Sequence, residues 1–166
     1  MKVTYTWRNP RLPHPERKQL IRMCRRAAEL AGLDWQKNWE LSILFTGDRS
    51  MAKANRELLG HEGTTDVITF SYLEEADGFF ENEIGIELII CADVAKREGD
   101  SRADSDYSGE MALYVVHGLL HSAGYDDLTD DKIPLMRAGE KRVMDILKQE
   151  FDLNRVFPPA VCGDKQ

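Results

Sequence analysis

The 166 residues are 42% hydrophobic and 31% charged, the balance of a globular chain of one domain rather than a disordered or fibrous one. No window approaches the roughly twenty apolar residues that span a bilayer, and the opening MKVTYTWRNPRLPHPERKQ has no apolar signal core, so the chain is expected in the cytoplasm, away from membranes. A net charge of −7 argues against a general nucleic-acid binder, with no DNA partner expected, while leaving room for a local basic patch.

KVTYTW alternates, with Val3, Tyr5 and Trp7 on one side, and is predicted as a strand that Pro10, Pro13 and Pro15 then break. From Glu16 the residues Leu20, Cys24, Ala27, Ala28 and Ala31 recur at helical spacing, and Gly32 follows where a helix end accepts a left-handed residue. The outer face of this helix, between Arg17 and Arg26, is basic and reads as a solvated surface before it reads as a binding surface.

WELSILFTG alternates again as a second strand, and a short helix is predicted over RSMAKANRELLG, with Asp48 as its N-cap and Gly60 as its stop. HEGTTDVITFSY is a loop entering a third strand, LEEADGFFEN an acidic turn, and EIGIELIICA a fourth strand with Ile84, Ile86, Leu88 and Ile90 on one face. Helices are then predicted near Ala92 to Glu98, from about Ser108 to Ala123 and from about Asp131 to Phe151, before an irregular tail. The expected architecture is α+β, a small mixed four-stranded sheet packed with helices, as one domain over residues 1–151 with a tail over 152–166. Cys24, Cys91 and Cys162 lie far apart without a CxxC pair, and read as reduced packing residues.

The chemistry concentrates in HGLLHSAGYDD, His117 to Asp127. Residues four apart share a helix face, so His117 and His121 can aim both imidazoles at one point. Gly124 can end that helix with φ > 0 and let the chain fold back, so that Asp127 offers a carboxylate to the same point. His, His and Asp form an N/N/O set acceptable to zinc, with a position left open. Asp126 competes for the third place, or serves as a cap or as the partner that orients a ligand histidine.

HGLLHSAGYDD resembles the signature of the YbeY-like endoribonucleases, bacterial ribosomal-RNA maturation factors, in which a His-Gly-x-Leu-His-x-x-Gly-Tyr-Asp-His stretch binds metal. NRELLGHEGTTDVITFSY is similar to that family's Asn-Arg followed by Thr-Asp-Val-Leu-Ser-Phe, and IGIELIICADVA to its Leu-Gly-Asp-Ile-x-Ile strand. Met136, Glu140 and DIL also fall where its last helix has similar residues. Two positions depart: Asp127 stands for the family's third histidine, and Glu87 for its strand aspartate. The first is a harder, anionic donor that opens the site to divalent transition metals other than zinc.

The resemblance implies a bound metal, usually zinc, and hydrolysis of single-stranded RNA. The substrate it implies is precursor ribosomal RNA, with the small ribosomal subunit as a partner. It also implies a part in activity for Arg56, whose permanently charged planar fork suits gripping a phosphate. A zinc peptidase is the weaker reading, because Gly118 stands where such an enzyme carries its general base. A binding module with a structural metal is the non-enzymatic rival, distinguished by a coordination position closed by protein. For RNA cleavage, attack by activated water or by the neighbouring 2′-hydroxyl stays open, and the product's end group separates them.

Overall fold

The computed structural model describes residues 1–73 and 83–160, leaving the predicted acidic turn beyond Leu73 and Cys162 outside the described residues. In chain order the elements are β1 (Lys2–Trp7), α1 (Arg17–Ala31), β2 (Trp39–Thr46), α2 (Asp48–Ala54), a π-helical turn (Asn55–Leu59), β3 (Val67–Ser71) and β4 (Glu83–Cys91). The helices α3 (Ala92–Ser101), α4 (Tyr107–Ser122), α5 (Ile133–Glu150) and α6 (Leu153–Val156) complete the described chain. The sheet is mixed, in the order β1-β2-β4-β3. β1 and β4 both run parallel to β2, and β3 lies antiparallel to β4 at the edge. Parallel neighbours need a crossover connection, and α1 supplies it between β1 and β2.

α1 forms as its periodicity dictates. Glu16 caps it by accepting from the Lys18 and Gln19 amides, Leu20, Met23, Cys24, Ala27, Ala28 and Ala31 are buried, and Gly32 ends it at φ 89°. Its basic outer face is tied to neighbours in part: Arg26 reaches Glu150 of α5 and Glu29, both at 2.8 Å. Against the same sheet face pack Val3, Leu41, Ile43, Phe45, Ile86, Leu88 and Ile90 with Met111, Val115 and Leu119 of α4. Each fully buried large aliphatic contributes roughly 1.5–3 kcal/mol relative to exposure. The opposite face carries a smaller cluster of Met51, Ile68 and Cys91.

α4 touches α1, α3, α5, α6, β3 and β4, which is why its sequence is apolar almost all round rather than along one stripe. It crosses the sheet closely at Gly118. A Cβ there would lie 2.5 Å from Leu88 Cδ2 and 2.9 Å from Thr69 Oγ1, so the residue that left no base in the sequence reading is the one that lets the helix seat on β3 and β4.

Three expectations are corrected in detail. Asp48 does not cap α2: Gly47 holds that place, Asp93 of the next helix accepts from the Asp48 amide at 3.0 Å, and the Asp48 carboxylate pairs with Arg97. Ile84 does not share the core face of Ile86, Leu88 and Ile90. The register slips by one residue at Gly85, because Glu40 pairs Ile84 while Leu41 pairs Ile86, and this turns Ile84 outward to 41% exposure. The segment after Phe151 is not wholly irregular, since α6 forms there and Phe157 is buried edge-on against Phe45, ring centroids 5.9 Å apart.

Candidate metal centre

His117 and His121 lie on successive turns at the end of α4, their rings edge to face with centroids 4.5 Å apart. The helix stops at Ala123, and Gly124, at φ 94°, reverses the chain. The Tyr125 amide then donates back to the Leu120 carbonyl, which holds the turn against the helix end. This return brings Asp127 to both histidines: Oδ2 stands 3.7 Å from His117 Nε2 and Oδ1 3.4 Å from His121 Nε2.

One ligand atom from each of the three lies within 4.8 Å of the others, and the group could hold a metal ion. A tetrahedral ion about 2.0–2.1 Å from each donor separates the donors by roughly 3.4 Å, and each histidine nitrogen lies near that distance from one of the two Asp127 oxygens. The predicted competitor is directed elsewhere. Asp126 pairs with Lys132 at 2.7 Å and accepts from the Leu128 amide at 3.1 Å, and these contacts hold its carboxyl below the ordinary range.

The remaining ring nitrogens are also engaged. His121 Nδ1 lies 3.0 Å from the Tyr125 carbonyl, and His117 Nδ1 lies 2.7 Å from Glu140 Oε1. Glu140 is buried on α5, and its other oxygen meets Arg137 at 2.9 Å. Burial alone would lower the His117 pKa, but the hydrogen bond and charge of Glu140, joined by Asp127 and Asp66, outweigh it and raise it. Burial opposes the charge of Glu140 as well, but its hydrogen bonds to His117 and Arg137 and their positive charge hold its carboxyl below the ordinary value. The sequence places Glu140 in the last helix with no sign of a part in the site; the carboxylate behind a histidine is Glu140, not Asp126.

Arg56 is exposed on the π-helical turn, and among the described residues it makes no ion pair. The structure does not join it to the histidines by a direct contact. The turn continues α2, whose Met51 and Ala54 pack with Ile68 and Cys91 on the sheet face opposite α4, and the chain then passes through the loop to Asp66 into β3. A π turn inside a helix frequently occurs at functional sites. Glu87, on β4, accepts from the Tyr72 hydroxyl at 3.0 Å.

The fold and site thus define an α+β protein with a His-His-Asp group at the end of a buried helix, set behind an edge strand. The family described as Endoribonuclease YbeY matches residues 7–148, and the chain belongs to that family. An Endoribonuclease YbeY of Parabacteroides distasonis is 29% identical over 90% of this chain and 99% of its own length. That of Geobacter sulfurreducens is 34% identical over 76% of this chain and 81% of its own. The solution structure of TM1509 from Thermotoga maritima covers 99% of both chains with a TM-score of 0.61 at 18% identity, a likeness of fold.

Proposed function

We propose that the chain is a metal-dependent endoribonuclease that cuts single-stranded RNA in the cytoplasm, acting on precursor ribosomal RNA or the small ribosomal subunit in rRNA maturation and quality control. Family membership supports the reaction class. The observation that supports metal dependence is the convergence of His117, His121 and Asp127, one ligand atom from each within 4.8 Å of the others. Zinc is the ion of choice for an N/N/O set, and the carboxylate donor admits other divalent transition metals.

A metal bound there supplies a Lewis acid that acidifies water and polarises a phosphoryl oxygen. The protein's own part is to present two imidazole nitrogens and one carboxylate from a rigid helix end, with Arg56 as the donor that grips the scissile phosphate. Openness favours catalysis over a purely structural metal. The side chains of His117, His121 and Asp127 are 21%, 27% and 36% exposed, so solvent reaches the group from one side. Peptidase chemistry is disfavoured because residue 118 has no side chain and its Cα faces Leu88 and Thr69 rather than open space.

The test pairs metal analysis of the purified protein with cleavage of a single-stranded RNA and of casein. Bound metal, RNA cleavage lost in His121→Ala, and intact casein are expected. Metal-dependent casein cleavage that His121→Ala abolishes would overturn the reading, as would RNA cleavage that survives the substitution.

A further inference from the structure

Glu140 stands against the candidate centre without belonging to its ligand set. It is 5% exposed, and a buried carboxylate costs free energy unless its oxygens are matched. Here both are matched, Oε1 to His117 Nδ1 at 2.7 Å and Oε2 to Arg137 at 2.9 Å. An ionised carboxylate only accepts hydrogen bonds, so the ring nitrogen facing it must carry a proton, and the neutral ring then has its lone pair on Nε2. His121 reaches the same state by another route, through the Tyr125 carbonyl at 3.0 Å, a backbone group fixed by the turn itself. The two histidines are therefore not equivalent: one is oriented by the chain, the other by a replaceable side chain bearing a full charge.

We propose that Glu140, clamped by Arg137, is a positioning residue that locks His117 in its Nδ1-protonated tautomer and aims Nε2 at Asp127 and the centre. Arg137 has a second part in the arrangement. Its charge offsets part of that of Glu140, which reduces the negative charge the backing carboxylate adds beside Asp127 and Asp66. The tautomer follows from the 2.7 Å contact of a neutral His117 ring with an ionised Glu140; the consequence for metal rests on the reading of His117 as a ligand. Outer partners of ligand histidines typically govern metal affinity by about 10- to 100-fold.

The experiment uses the full chain with nitrogen-15-labelled histidine, first free of metal and at a pH raised until the nitrogen shifts themselves report neutral rings. In the unsubstituted protein the nitrogen shifts should report Nδ1–H for His117 and His121 alike. In Glu140→Gln the amide both donates and accepts, so His117 should become a mixture of tautomers while His121 stays unchanged. Zinc affinity, measured by chelator competition, should fall by about 10- to 100-fold. Glu140→Asp keeps the charge but shortens the arm, and should not restore either readout. Arg137→Gln alters a residue whose side chain is 69% exposed, so the fold is not at stake, and should move both readouts in the same direction by less.

A purely structural Glu140 would lower the melting temperature and leave the His117 nitrogen shifts alone. Unchanged His117 shifts in Glu140→Gln, or in Arg137→Gln if the first variant does not fold, overturn the proposal. Failure of the unsubstituted protein to bind zinc, with His117 still following Glu140, would instead sink the metal-centre reading and uphold the control of the tautomer.

Discussion

Two adjacent aspartates after α4 have the same chemistry and different work, and the turn at Gly124 separates them. Asp126 is spent on Lys132 and the Leu128 amide, whereas Asp127 faces both imidazoles. Asp127→Ala should therefore strip metal from the protein, and Asp126→Ala should leave its content unchanged. The reverse result in metal analysis of the two variants would reassign the ligand. The role proposed for Arg56 makes a separate prediction, because it concerns catalysis and not the metal. Arg56→Ala should keep full metal content and lose activity on RNA by roughly 100- to 1,000-fold, the scale of one lost charge-stabilising donor. Arg56→Lys should recover little of it, since an ammonium cannot reproduce a bidentate fork. A wild-type cleavage rate in Arg56→Ala at verified metal occupancy would remove it from the catalytic group. The histidine pair and Asp127 are legible in the sequence because helical spacing and one turn-forming glycine bring them together locally. Glu140 is not legible in that way: it lies 23 residues beyond His117, and only the packing of α5 on α4 delivers it.

Among the elements, α4 carries the most demand, since it bears the histidines and is packed on nearly every side. Gly118 sets how near it approaches the sheet. An alanine there would gain up to about 1 kcal/mol of helix propensity. Against this, its methyl would meet Leu88 Cδ2 and Thr69 Oγ1 inside contact distance, and overpacking a filled core typically costs about 1–3 kcal/mol. Gly118→Ala should thus be net destabilised, on the order of 1–2 kcal/mol by urea unfolding. A variant as stable as the parent would show that Leu88 and Thr69 yield freely. The sequence reveals this glycine as a missing base, but its packing role needs the crossing of α4 over β3 and β4, which no local pattern encodes. The same limit explains the other shifts at this scale. Strict alternation in β4 conceals the slip at Gly85, and helical periodicity through RSMAKANRELLG does not distinguish an α turn from the π turn that holds Arg56.

Across the whole molecule, strand and helix patterning conveys the α+β class, while the parallel pairing of β1, β2 and β4 depends on crossovers that join distant segments. Phe157 illustrates the same point, because a lone aromatic ahead of two prolines carries no periodicity, yet it fills the core beside Phe45. Carboxylates tie these distant segments together at the surface. Glu40 on β2 accepts from Lys2 at 2.7 Å and from the Thr4 hydroxyl on β1, and Asp48 of α2 pairs with Arg97 of α3. The hydrogen bonds from Lys2 and then Thr4 hold the Glu40 carboxyl below its ordinary value, outweighing its partial burial. A folded-state pKa depressed in this way stabilises the protein fully above the unfolded value of about 4.3 and loses that contribution as pH falls through the folded value. Lys2 is 56% exposed, so solvent screens the pair and the contribution of Glu40 should be about 1 kcal/mol or less. Glu40→Gln should therefore be slightly less stable than the parent at pH 7, and the two urea midpoints should converge as the solution is acidified below about pH 4. A difference that stays constant from neutral to acid would mean that Glu40 acts through packing and hydrogen bonding that glutamine cannot copy, and not through its charge.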